Sequence, residues 1–157
     1  MEAHVEVHFK YDSPVMGEAV EEILWAKVVD AEAGVYELVS IPFYGLALAT
    51  ADHFEAQYDE AGKELHYQGV VRNSGNSVAV VAVAKENFEV EQLIAELAKL
   101  NCRSEALNAK YFAVEVPKTV FYGPVRDLLN KHEEQGAIEF AESRLSAKHQ
   151  SDLRRHK

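Results

Sequence analysis

The apolar residues of this chain change their spacing once, near residue 72, and that change limits the folds open to it. Before it, the pattern is that of strands and turns. Residues 4–11 alternate strictly, with Val5, Val7, Phe9 and Tyr11 on one face and His4, Glu6, His8 and Lys10 on the other. Asp12, Ser13 and Pro14 end the run. Residues 22–29 form a second β-rich stretch around Trp25, and the turn Ala31-Glu32-Ala33-Gly34 leads to a hairpin partner over 35–39. Beyond Pro42 and Gly45, a strand over 53–58 meets Asp59-Glu60-Ala61-Gly62, which turns the chain into 64–71. Five short strands with no helix between them predict a small antiparallel barrel or strongly curled sheet over residues 1–72.

From residue 77 the two periods alternate. Residues 77–83 are a nearly continuous Val/Ala run, which argues a strand buried on both faces. Asn87 is the predicted cap of a helix in which Val90, Leu93, Ile94, Leu97 and Leu100 share one face, and Asn101 is placed to end it in a left-handed conformation. Residues 102–107 and 110–116 read as strands, the second closed by Pro117. A helix opens at Pro124, keeps its spacing at Val125, Leu128 and Leu129, and stops at Gly136, before a last strand marked by Ile138 and Phe140. The order β-α-β-β-α-β is that of the ferredoxin-like split βαβ fold. The fold expected is therefore α+β, a barrel-like subdomain over 1–72 followed by a ferredoxin-like subdomain over 77–142.

Charge marks off a third segment. The chain of 157 residues carries a net charge of −10, but residues 143–157 hold five cations against the single acid Asp152. That basic tail is expected to be a solvated, partly frayed terminus, with a basic hook for a partner or nucleic acid as the alternative, and the remaining residues carry −14. A body this anionic repels phosphate backbones, so nucleic-acid binding is disfavoured. One cysteine, Cys102, rules out an internal disulfide and suits a reducing compartment. The start reads as no signal peptide and no apolar run is long enough for a bilayer, so a cytoplasmic protein without membrane contact is expected.

A set of short elements recurs in order between residues 24 and 77: Leu24-Trp25-Ala26, Tyr36-Glu37-Leu38, Ile41-Pro42-Phe43-Tyr44, Leu46-Ala47-Leu48, Asp52, and Val71-Arg72-Asn73-Ser74-Gly75-Asn76-Ser77. In these the chain resembles the uncharacterised bacterial family catalogued as domain of unknown function 4265. Ala51 stands where that family usually shows glycine. The resemblance implies a small standalone bacterial protein and supplies no catalytic residues.

The chemistry-bearing residues are few. His4 and His8 share a strand face but lie roughly 13 Å apart, too far for one metal ion to bridge. His132 falls on the apolar spacing of the second helix and reads as a structural histidine, while His149 and His156 belong to the tail. Cys102 follows a helix C-terminus, where the dipole disfavours a thiolate. Asp52 and His53 are adjacent strand residues that point to opposite faces, and Asp52 is better suited to accepting hydrogen bonds from turn backbone.

The loop 72–77 is richer than a turn requires. Gly75 permits a positive φ, and its neighbours are suited to a backbone nest for an anion, although joining the two halves is its simpler role. Tyr44, Asp52, Asn73, Ser74 and Asn76 are accordingly the candidate partner- or ligand-binding residues. No catalytic residue, metal or cofactor is expected.

The leading functional expectation is a non-enzymatic protein-binding protein of the immunity type, with carboxylates such as Glu55, Asp59, Glu60 and Glu64 steering a basic toxin. Two alternatives stand beside it. One is a small-ligand sensor, and the other is an enzyme drawing on Asp52, His53 or His66.

Overall fold

The structure, a computed structural model, describes residues 3–156, so expectations resting on Met1, Glu2 and Lys157 lie outside the described residues. The described residues are mixed α+β, with sheets of five and four strands and three helices. The first sheet comprises β1 (His4–Asp12), β2 (Ala19–Asp30), β3 (Val35–Leu38), β4 (His53–Asp59) and β5 (Glu64–Arg72). Neighbours pair antiparallel in chain order, and β5 returns to β1 in parallel, so the hydrogen bonding closes into a barrel. The closing seam is short, with Val7 facing Leu65 and His8 facing His66. Strand alternation sends Val7, Phe9, Leu24, Ala26 and Phe54 inward. There Phe9 packs against Phe54 and Tyr67 with ring centroids 5.3 and 5.0 Å apart.

The second sheet, β6 (Ser77–Val83), β7 (Arg103–Asn108), β8 (Tyr111–Val116) and β9 (Ile138–Arg144), runs β7-β8-β6-β9 and is antiparallel throughout. Helices α1 (Val90–Lys99) and α2 (Tyr122–Glu134) supply Leu93, Leu97, Val125 and Leu129 to the core on one of its faces. On the other, Val78, Val80 and Ala113 pack against Ile41 and Ala49, which belong to the connection between β3 and β4. The Val/Ala run of β6 is thus buried from both sides, and the two halves share an apolar layer. Asn101, at φ +67°, takes the left-handed conformation its position implied. Asn87 does not cap α1. That helix starts later, with Glu89 at its N-cap and no side-chain bond there. No described helix is long and apolar enough to cross a membrane.

The C-terminal segment departs from the expected frayed tail. Residues Ala147–Arg155 form a helix, α3, whose inward face is polar: His149 and Asp152 are 0% and 1% exposed. Ser146 caps it by accepting the His149 N–H. Asp152 accepts the Tyr122 N–H at 3.1 Å and so serves the start of α2, which has no side-chain cap of its own. Burial opposes ionisation of Asp152, but hydrogen bonds from Lys148 (2.8 Å) and the Tyr122 N–H win and hold its carboxyl below the usual range. The tail therefore docks through hydrogen bonds rather than an apolar stripe. The chain then passes so close over α2 that a Cβ on Gly123 would stand 2.3 Å from the His156 ring.

His149 holds α3 to the sheet. Its Nδ1 lies 2.6 Å from the Ser77 hydroxyl, and its Nε2 lies 3.0 and 3.2 Å from the carbonyls of Pro117 and Val120. Those carbonyls require Nε2 to carry the proton, which leaves Nδ1 to accept from Ser77. Burial pushes the imidazole pKa below its ordinary 6.5, so the folded state keeps it neutral where the unfolded chain takes up a proton. Stability that is complete above the unfolded value is therefore lost as pH falls below it, until the lowered folded value is reached. Urea denaturation across pH 5–8 should show a slope of up to about 1.4 kcal/mol per pH unit on the acid side from this residue. His149→Gln should be less stable at pH 8 and show a shallower acid slope.

Candidate functional site

Four of the five residues expected to bind a partner or ligand lie at the passage between the halves, and three of them are joined there. Ala51 adopts φ +68°, a left-handed conformation unfavourable for a residue with a Cβ, and it delivers Asp52 into the interior. The Asp52 side chain, in a residue only 1% exposed, accepts the Ala49 N–H at 3.0 Å and the Ser74 N–H at 2.7 Å. The loop contributes one of these donors, the Ser74 N–H, and the other comes from the turn that carries Asp52. Ser74 Oγ and Asn76 Nδ2 both donate to the Thr50 carbonyl, at 2.8 and 3.0 Å. Asn76 Oδ1 accepts the Lys118 N–H at 2.9 Å, which ties in the entry to α2. Gly75, at φ +94°, lies against the Lys118 side chain.

Asp52, Ser74 and Asn76 therefore form one joint whose polar groups face each other. Asn73 is exposed beside it. Tyr44 lies elsewhere, its carbonyl accepting the Ser13 hydroxyl at 2.5 Å and its ring against Phe43. His53 points away from Asp52 and reaches Glu37 at 3.0 Å.

A second polar network was not legible in the sequence. Glu22, 5% exposed, accepts the Tyr11 hydroxyl and the Phe43 N–H, each at 2.7 Å. Burial raises its pKa against the opposing pull of those two donors. Tyr111 donates to the Phe43 carbonyl, and burial, reinforced by the Glu22 carboxyl, pushes its phenol up to about 12. Beside it a cleft of about 360 Å³ opens between Pro14, Val15 and Gly45 of the barrel half and Val80, Tyr111 and Phe140 of the second sheet. The Ser143 hydroxyl, which lines that cleft, has no hydrogen-bond partner among the described residues.

Ser77, His149 and Cys102 are enclosed. Ser77 and His149 stand as a nucleophile–base pair does, but they are 2% and 0% exposed. Ser77 Oγ also accepts the Ser146 N–H at 2.9 Å, so the pair acts as a lock between β6 and α3. Cys102 is buried, and burial, with a smaller effect from Glu115, raises its thiol to about 11. His132 packs edge-on to Phe88 and keeps Glu96 at 3.9 Å.

Removing the joint's carboxylate leaves one buried and one part-buried N–H donor unmet. Asp52→Ala should cost about 2–4 kcal/mol in chemical denaturation, and Asp52→Asn, which keeps one acceptor, roughly half of that. Ala51→Gly should raise stability by about 1 kcal/mol by relieving the left-handed strain.

The family described as Domain of unknown function (DUF4265) matches residues 22–140, well over half of the chain. No curated protein matches. A hypothetical protein from Neisseria gonorrhoeae has a similar crystal structure, with a TM-score of 0.77 at 20% sequence identity, over 93% of this chain and 96% of that one. At that identity the likeness shows a shared fold. The matched segment contains the joint, from Ala49 and Asp52 through Ser74 and Asn76 to Lys118, and the chain belongs to the DUF4265 family.

Proposed function

We propose that this is a non-enzymatic binding protein whose partner is a basic protein, in the manner of an immunity protein neutralising a toxin. The observation that carries the reading is on the outer wall of the barrel. Ile23 and Trp25 are 50% and 49% exposed there, and Glu6 stands directly opposite Trp25 across the β1–β2 pair. A half-exposed tryptophan beside an aliphatic neighbour is the residue type that dominates protein interfaces. Glu55, Asp59, Glu60 and Glu64 lie on the neighbouring β4–β5 hairpin and favour a cationic partner. The second half reads as ferredoxin-like, from its β6-α1-β7-β8-α2-β9 order, and serves as the rigid support on which the barrel wall is presented.

The cleft beside Tyr111 favours a second reading, that of a small-ligand sensor. In this reading the binding residues are those of the cleft, and the Asn73–Ser77 loop serves as the joint.

Affinity capture from the source organism's lysate separates the two. Neutralisation predicts one stoichiometric basic protein, released by raised salt and lost with Trp25→Ala, while Tyr111→Phe leaves capture intact. Capture that is indifferent to Trp25→Ala contradicts the wall as the interface. A metabolite that raises the thermal midpoint of the wild type and not of Tyr111→Phe supports the sensor instead.

A further inference from the structure

Histidine and carboxylate side chains converge on the barrel wall where β1, β2 and β5 meet. His8 Nδ1 lies 3.3 Å from Glu21 Oε2 and 3.6 Å from Glu64 Oε2. The three candidate ligand atoms all lie within 4.8 Å of one another. His66 Nε2 stands 3.2 Å from the same Glu64 oxygen, and the two imidazole centroids are 5.5 Å apart. Strand register brings this about. His8 faces His66 across the parallel seam, and Lys10 faces Glu21 across the β1–β2 pair, which sets Glu21 diagonally from His8.

Two of the three spacings, 3.3 and 3.6 Å, approach those of a coordination shell. With metal–ligand bonds near 2.0–2.1 Å, the corners of a tetrahedron stand about 3.3 Å apart. Hydrogen bonding accounts for the arrangement less well. His8 Nδ1 donates its single proton to Glu21, and the Glu64 oxygen, 3.6 Å from that nitrogen, lies beyond hydrogen-bond reach of it. Carboxylates this close on the strands flanking β1 repel each other, and a divalent cation between them removes that repulsion.

We propose that His8, Glu21 and Glu64 bind a divalent transition-metal ion of the zinc class, with His66 turning in as the fourth ligand. Two imidazoles and two carboxylates suit zinc, cobalt or nickel, whereas calcium and magnesium take shells of oxygen. The ion links three strands at the seam, where β1 and β5 pair through only two residue pairs, so it reinforces the closure of the barrel. Lys10 Nζ, 3.7 Å from Glu21 Oε2, competes for that carboxylate. The inference stands apart from the partner reading, since it needs no second protein.

The test uses tag-free, full-length protein freed of metal by a chelator. Titration with zinc is followed by calorimetry, and titration with cobalt(II) by visible absorption. One equivalent of zinc should bind, the thermal midpoint should rise with the logarithm of zinc concentration, and cobalt should give tetrahedral bands. His8→Ala should abolish the saturable step while keeping the wild-type far-UV circular dichroism. His66→Ala should weaken binding about 10–100-fold, and Lys10→Gln should tighten it. His4→Ala on β1 and His53→Ala on β4, both outside the cluster, should leave affinity unchanged. Absence of a saturable step, or equal affinity in wild type and His8→Ala, overturns the proposal and leaves the capture experiment at Trp25 unaffected.

Discussion

The carboxylate of Asp52 is the constraint on which the rest of the structure depends. It stands between the barrel and the second sheet and takes one backbone N–H from its own turn and one from the loop that enters β6. Each donor would otherwise lack a partner, so the carboxylate fixes both segments at once. Ala51 bears left-handed strain to place it, and the apolar layer of Ile41, Ala49, Val78, Val80 and Ala113 packs beside it. Once the joint is set, β6 lies between helices and barrel, and the C-terminal helix can lock onto Ser77.

This arrangement decides where function is sought. The loop of residues 72–77 is richer than a turn needs, and several of its donors and acceptors are used within the molecule, on Asp52, Thr50 and Lys118. Among the surfaces open to solvent are the barrel wall, with Trp25 and the His8–Glu64 cluster, and the cleft at Tyr111. Ser77 and His149, for their part, are sealed by the helix they hold.

What could be read in the sequence was what depends on period. The alternation from His4 to Tyr11, the two-sided burial of β6 and the left-handed end of α1 at Asn101 each follow from local spacing or a single residue's preference. Helix α3 was hidden because its buried face consists of His149 and Asp152, so no apolar stripe announces it, and the run of cations suggested solvent instead. The joint was legible only in pieces. Asp52 looked like a turn acceptor and Ser74 like part of an anion nest, but nothing local says that residues 22 positions apart satisfy each other. The wall cluster needed register. Distance along one strand rightly separates His4 from His8, but only the β1–β5 pairing places His66 beside His8.

The central claim, that the Asp52 joint makes barrel and second sheet a single cooperative unit, is tested by equilibrium unfolding followed with two probes at once. The only tryptophan, Trp25, reports on the barrel, and all three helices, read by circular dichroism at 222 nm, belong to the second half. The account predicts coincident transitions with one midpoint and one slope. Two separated transitions, with the fluorescence change complete before the helices melt or the reverse, would contradict it.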